Sequence, residues 1–347
     1  MRKIKWGVIG CGGIADIRTI PGLLLAENAE LTMVMDRNPK VASRIGQKYG
    51  VLFTDNIEDL LAADLDVVYI ATPVFCHKEQ AVQVMRAGKH VFMEKPVGMN
   101  SEEAKELHAI ALRENVKIGV GMMMRFHTHH QFVKKIIAED KLGDIVSMRA
   151  QFTCWYPEAQ GEWRQIKKLS GGGALMDLGV HCLDLLQYVS GTKAVGVTAI
   201  CDTLSFKYEV DDSASLLLKM NNGAHAYVDV NFNIPDNAAV SRLEIYGTKG
   251  SFIADGTIGQ EEIGSARVSL VQESEYDAMQ NRDGGSFYHM PPANGNMYTK
   301  EIESFSAALL KDTDPEVTIE DAIFVQEITE AAYQSAEEGR HMVIKSI

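Results

Sequence analysis

The feature that most constrains this chain is its opening. In Lys3-Ile4-Lys5-Trp6-Gly7-Val8-Ile9-Gly10-Cys11-Gly12-Gly13-Ile14-Ala15, an apolar run of strand character breaks at Gly10-x-Gly12-x-x-Ala15. That spacing is the glycine fingerprint of a dinucleotide-binding βαβ unit, with alanine in its last position. Gly10 permits the tight turn off the strand. Gly12 lacks a Cβ, so the backbone can approach a pyrophosphate. Ala15 is small enough for the helix to pack close to the strand, and the pyrophosphate lies at a helix N-terminus, where free N–H groups favour an anion. A second apolar run, Ala29–Met35, ends in Asp36, the acid that the fingerprint places about 20 residues further on.

The 347 residues suggest two domains. A hydrophobic fraction of 46% and a charged fraction of 23% fit a soluble globular protein with a sizeable core. The formal net charge of −13 argues against nucleic acid or an anionic membrane as a partner. No apolar run reaches the length of a membrane span, and strand character begins at once, so neither a span nor a signal peptide is expected. The five cysteines (Cys11, Cys76, Cys154, Cys182, Cys201) are scattered and form no CxxC. No metal site is expected, and a cytoplasmic location is.

The first 120 or so residues alternate strands and helices. Strands are expected at Trp6–Gly10, Leu31–Met35, Val67–Ala71, Val91–Met93 and Val116–Val120, with helices at Val41–Tyr49, Ile57–Ala62, Lys78–Ala87 and Glu102–Asn115. Gly88 is a C-cap signal, Asn100-x-x-Glu103 a capping box with Asn in place of Ser or Thr, and Pro21 a kink or restart of the first helix. The sum is a doubly wound parallel sheet of Rossmann type in residues 1–123. After Met124 the pattern changes to α+β, assigned as one domain over 124–347. Helices are expected at Phe132–Ala138 and from about Ala174 to Val189. Period-two strands are expected at Ile145–Phe152, Val195–Ile200, Ser213–Met220, Ala224–Phe232, Arg242–Tyr246, Ser251–Ala254 and Arg267–Val271. Gly284–Asn296 reads as a loop, and Lys300–Leu310 and Ile319–Glu338 as helices. The sheet is expected to be mainly antiparallel with helices on one face.

Three further clusters carry chemistry. Ala71-Thr72-Pro73 with His77 and Met93-Glu94-Lys95-Pro96 both sit at carboxyl ends of expected strands, the edge at which open α/β sheets bind ligands. Thr72 and Pro73 should therefore border a cofactor. Lys95 can hydrogen-bond a substrate hydroxyl and a ribose, with Glu94 tuning its charge. The third cluster is Gly171-Gly172-Gly173 followed by Asp177, His181 and Asp184. Asp177 and His181 lie four apart, on one face of a helix. His181 can take a proton from an alcohol, Asp177 can hold substrate or orient the imidazole, and Asp184 can support the histidine.

These motifs, in this order, resemble the Gfo/Idh/MocA oxidoreductases over nearly the whole chain. The resemblance also rests on Arg125-Phe126, Trp163-Arg164, Val210-Asp211-Asp212 and Gly247-Thr248-Lys249-Gly250. It implies a Rossmann domain followed by a domain with a large open sheet, and a homodimer or homotetramer formed through that sheet. It implies NAD(P)-linked hydride transfer at a carbinol carbon of a sugar or polyol. Lys95, Asp177 and His181 fall on the family's catalytic positions, and Lys95–Pro96 where a cis peptide is common. Cofactor contacts are then expected from Gly10, Gly12, Gly13, Ile14, Asp36, Arg37, Thr72, Pro73, His77, Glu94, Lys95 and Arg125. Asp36 favours NAD, because its charge opposes a 2′-phosphate, whereas Arg37 leaves NADP open. Trp155, Trp163 and Arg164 are the sugar-contact candidates, with Tyr156 and His289 beside them. Two other readings are a non-catalytic NAD(P)-binding sensor and a glycosidase that uses NAD transiently. The sequence selects no particular sugar.

Overall fold

The computed structural model describes residues 2–271, 278–279 and 287–345. In chain order the first part runs β1 (Ile4–Ile9), a π-helical turn (Ala15–Thr19), α1 (Ile20–Leu25), β2 (Ala29–Met35), α2 (Pro39–Tyr49) and β3 (Leu52–Thr54). It continues through α3 (Ile57–Ala62), β4 (Val67–Ile70), α4 (His77–Arg86), β5 (His90–Met93), α5 (Ser101–Glu114) and β6 (Ile118–Val120). Then follow α6 (Thr128–Ala138), β7 (Ile145–Thr153), α7 (Lys167–Ser170), a second π-helical turn (Leu175–Gly179), α8 (Val180–Ser190), β8 (Ala194–Asp202), β9 (Ser213–Met220) and β10 (His225–Asn231). The remainder is β11 (Arg242–Gly247), β12 (Gly250–Asp255), β13 (Ser265–Leu270), β14 (Tyr288–His289), α9 (Met297–Lys311), α10 (Ile319–Glu338) and β15 (Met342–Val343).

Two compact units result. The first holds Met1–Met123, Lys168–Gly171 and Asn296–Glu327; the second holds Met124–Lys167, Gly172–Gly295 and Ile328–Ile347. In the first, six parallel strands take the order β3-β2-β1-β4-β5-β6, the doubly wound order whose direction reverses between β1 and β4. Pro21 falls in the first turn of α1, where its missing N–H costs nothing, so the helix restarts there after the π turn. Asn38 caps α2 through Lys40 N–H, and Gly50 at φ +67° ends it. Asn100 accepts the Glu103 N–H, while the Glu103 carboxylate reaches back to the N–H of Met99 rather than of Asn100.

Residues 296–327, expected in the second domain, belong to the first unit, where α9 packs. Its Ile302 and Phe305 are buried in the cluster around Trp6 and Phe92. The Phe305 ring lies 5.9 Å from Trp6 and 5.3 Å from Phe92, and the Trp6 indole N–H donates to Ser306 Oγ. Aromatic rings meeting this way bury large areas, so the amphipathic face of α9 completes that core.

In the second unit nine strands run β14-β13-β12-β11-β7-β10-β9-β8-β15, all antiparallel except the β7–β10 pair. β9 shows the period: Ala214, Leu216, Leu218 and Met220 are buried, whereas Leu217 and Lys219 face out. α8 packs on β7 and β10, with α6 against it. Every residue from Val180 to Val189 is buried, so this helix is enclosed on all sides and its polar residues need partners. The expected helix from Ala174 is in fact a π turn leading into α8. The stretch read as a loop over 284–296 contains β14, which pairs with β13; residues 284–286 lie outside the described ones.

Three histidines begin α6. The His130 ring is fully buried, with Nδ1 2.7 Å from the Met124 carbonyl and Nε2 3.1 Å from Thr257 Oγ1. Burial, reinforced by neighbouring His127, pushes its pKa down to about 3. The unfolded chain, with an ordinary histidine pKa near 6.5, therefore takes up the proton first as pH falls. The stability His130 gives is complete above that value and drains away as pH drops toward the folded one. Between pH 7 and pH 5 it loses about 2 kcal/mol. Urea unfolding of wild type and His130→Gln should show a stability gap that narrows by about that amount over this range; a constant gap would contradict the assignment.

Candidate active site

In the first unit the candidate residues line the carboxyl ends of the parallel strands. Gly10 leaves β1 with φ +80°, and a Cβ there would lie 2.8 Å from Thr72 Cγ2 and 2.9 Å from the Ala71 carbonyl carbon, at the point where strand order reverses. Only glycine fits. Gly12 differs: a Cβ there would meet Val41 Cγ1 at 3.6 Å and Asp36 Oδ2 at 3.9 Å, which are ordinary contacts, and one on Gly13 would meet nothing within 4 Å. The fold itself leaves room above Gly12, and the glycine is explained by a group approaching from outside. Ile14 follows and leads into the π turn. π turns recur at functional positions. Asp36 Oδ1 accepts the Asn38 N–H, while Oδ2 faces Gly12. Arg37 is exposed. A glycine turn opening a helix, with a carboxylate oxygen facing it, fits the pyrophosphate and ribose of a dinucleotide.

Thr72 borders this turn through its methyl group; its hydroxyl donates to Gln80 Oε1 at 2.6 Å. Pro73 leads into a short 3-10 turn, Val74–Cys76. His77, expected at the cofactor, is placed otherwise. Its ring is buried, with Nε2 2.8 Å from the Thr72 carbonyl and Nδ1 3.0 Å from the Pro96 carbonyl. Burial lowers its pKa and outweighs those carbonyls; the ring sits between the loop after β4 and the loop after β5, where its N–H can donate to one of the two carbonyls. Glu94 Oε1 accepts the Tyr69 hydroxyl at 2.6 Å, and Tyr69 in turn takes the Thr19 hydroxyl at 3.0 Å. Glu301 of α9 is 3% exposed; burial, then the Glu94 charge, pushes its carboxyl well above the usual range. Lys95 is half-buried, and the Lys95–Pro96 peptide is cis.

In the second unit Asp177 lies in the π turn and His181 in the first turn of α8. His181 is 4% exposed and meets the Phe152 ring edge-on at 6.2 Å. Arg164 Nε is 4.0 Å from Asp177 Oδ2, its Nη1 is 3.5 Å from Glu162 Oε1, and its guanidinium stacks 4.4 Å over Trp163. Trp163, Arg164 and Asp177 thus come together. Trp155 is occupied differently, edge-on to Phe206 at 5.3 Å, and is 45% exposed. His289 is exposed on β14. Two of the expected residues are partnered with each other. Arg125, expected among the cofactor contacts, is 4% exposed, with Nε and Nη2 at 2.8 and 2.5 Å from the two oxygens of Asp184. Asp184, expected behind His181, is consumed by that pair. The enclosure of α8 accounts for both: a carboxylate buried there is held by a guanidinium, which pairs the two charges.

Residues 4–122 match the family model described as oxidoreductase family, NAD-binding Rossmann fold, and residues 130–253 match the GFO/IDH/MocA C-terminal domain. Oxidoreductase P35 of Formosa agariphila is 31% identical over 256 residues, covering 72% of this chain and 78% of its own. The chain belongs to the GFO/IDH/MocA oxidoreductase family. A 1,5-anhydro-D-fructose reductase of Ensifer adhaerens is 26% identical over 345 residues, 99% of each chain. A levoglucosan dehydrogenase solved with NADH and levoglucosan superposes with a TM-score of 0.88 at 22% identity, over 99% of this chain and 100% of that one. As a GFO/IDH/MocA protein the chain is an NAD(P)-dependent oxidoreductase. The residues that sequence reading missed are Glu301, with no motif around it, and Asp211, quoted within Val210-Asp211-Asp212 but given no role.

Proposed function

We propose that the chain transfers a hydride between NAD and a carbinol carbon of a sugar or cyclitol, with His181, Lys95 and Asp177 as its working residues. The observation that carries this is the π turn into α8, which sets Asp177 beside Arg164, itself stacked on Trp163, with His181 four residues further on. An aromatic face and a guanidinium suit a polyhydroxylated ring. When bound, the nicotinamide accepts or gives the hydride at its C4. His181 takes the hydroxyl proton in oxidation and returns it in reduction. Lys95 donates a hydrogen bond to the oxygen on which charge develops. Asp177, held by Arg164, accepts from a neighbouring hydroxyl. Glu94 and His77 hold the loop of Lys95.

The test is a panel of myo-inositol, D-glucose, D-xylose and glucose 6-phosphate with NAD, and 1,5-anhydro-D-fructose with NADH, followed at the nicotinamide absorbance. Turnover of at least one member is expected. NADH binding without turnover would favour the sensor reading. Asp36 carries the preference for NAD: Asp36→Ala should lower kcat/KM for NAD relative to NADP about 10- to 100-fold, the worth of a charge-assisted hydrogen bond. An unchanged ratio would contradict that role. The same reading includes assembly into a homodimer or homotetramer on the outer sheet face, where Leu217 and Tyr227 are exposed, and light scattering that shows a monomer would remove it. The five free cysteines fit a cytoplasmic setting.

A further inference from the structure

Asp211, between β8 and β9, is 8% exposed. Its carboxylate is turned onto the start of the π turn that carries Asp177. Oδ1 accepts the Gly173 N–H at 2.8 Å and the Tyr333 hydroxyl at 2.7 Å, and Oδ2 accepts the Leu175 N–H at 2.8 Å. The Asp211 carbonyl accepts the Ala174 N–H at 2.9 Å. Three successive N–H groups, of the kind a helix start leaves without internal partners, are thus held by one residue remote in sequence. The glycines before them are shaped to the same contact. A Cβ on Gly173 would lie 1.9 Å from the Asp211 carbonyl oxygen, and one on Gly172 2.1 Å from the Tyr333 hydroxyl oxygen. The Asp177 N–H bonds the Gly173 carbonyl at 2.9 Å, one link from this clamp.

A single capping side chain suffices to start a helix. The arrangement around Asp211 does more. It fixes both the depth and the rotation of the first turn, and a negative charge there is favoured by the helix dipole. Slipping the π turn back to regular α geometry would rotate Asp177 about the helix axis relative to His181. We propose that Asp211 and Tyr333 are positioning residues for the oxidoreductase reaction: they lock the register of the π turn and so aim Asp177 at the sugar. This rests on the roles proposed for Asp177 and His181.

The experiment compares full-length wild type, Tyr333→Phe, Asp211→Asn and His181→Ala. NADH fluorescence titration counts folded sites, amide hydrogen exchange reads Gly173–Leu175, and kinetics use whichever of myo-inositol or 1,5-anhydro-D-fructose wild type turns over. In Tyr333→Phe, which removes one hydroxyl and should fold, NADH binding stays at the wild-type level. Exchange at Gly173–Leu175 speeds up, kcat per NADH site falls about tenfold and the sugar KM rises severalfold, the scale of a small misplacement of a reacting group. Asp211→Asn moves further in the same direction. Unchanged exchange overturns the clamp. Faster exchange with kcat per NADH site and sugar KM both unchanged leaves a purely structural cap and overturns the positioning role. If His181→Ala keeps turnover, the proposed function fails instead, while the exchange data still report on the clamp.

Discussion

His181→Ala should lower kcat by about 10²- to 10⁴-fold, the usual contribution of a positioned acid–base group, while NADH binding stays as in wild type. The expectation follows from where the side chain sits. His181 is buried in the first turn of α8, and its ring is set against Phe152. A histidine serving only to fill this position would be replaced by alanine at a cost in stability, with turnover per folded site preserved. A histidine that carries the proton loses turnover and keeps folded sites. Lys95→Ala should fall in the same range, and the double variant should lose much less than the product of the two, because groups acting on one transition state are strongly non-additive. Near-normal turnover in both single variants would contradict the assignment.

The second large effect concerns stability. Asp184→Ala should destabilise the protein by about 3–5 kcal/mol, because it strands the Arg125 guanidinium without its charge partner inside the second unit. The side chains of Arg125 and Asp184 are 5% and 4% exposed, and the pair makes two hydrogen bonds, with Tyr188 stacked 4.8 Å from the guanidinium. Taking both charges away together removes the desolvation cost along with the attraction. Arg125→Met with Asp184→Leu should therefore recover most of the loss. Chemical unfolding of the three variants measures this directly. A loss below about 1 kcal/mol in Asp184→Ala, the level of an exposed pair, would contradict a buried and structural role for Arg125.

How far the sequence could be read depended on the range over which each contact acts. The Rossmann half was legible because its signals are local. The glycine spacing, the apolar runs of buried parallel strands and the caps Gly88 and Asn100 each lie within a few residues of the structure they specify. β3, β14 and β15 were missed because strands of two or three residues carry no period, whereas β6, equally short, lies in a longer apolar run. The amphipathic pattern of α9 announced a helix without saying which core it would enter, since Trp6 and Phe305 meet across almost the whole chain. Arg125 and Asp184 are 59 positions apart, and nothing near Arg125 in sequence reveals that its charge is already taken. The surroundings of His77 were hidden for a related reason. A histidine at a strand exit looks available for a ligand, and only the folded chain brings the Thr72 and Pro96 carbonyls onto both ring nitrogens. The spacing of Asp177 and His181 placed them on one helix face, and only the family resemblance made them catalytic positions, whereas Asp211, which holds the start of that helix, was visible only once the glycines before it had folded onto it.

The central claim is direct hydride transfer between NAD and a carbinol carbon, and isotope transfer tests it most directly. The panel sugars, deuterated at their carbinol carbons, are incubated with NAD and the full-length protein, and the nicotinamide product is analysed by mass spectrometry. The account predicts NADH that carries one deuterium at C4 and is formed in step with the oxidised sugar. Formation of unlabelled NADH, or release of sugar from a glycoside with no net change in the nicotinamide, would contradict it.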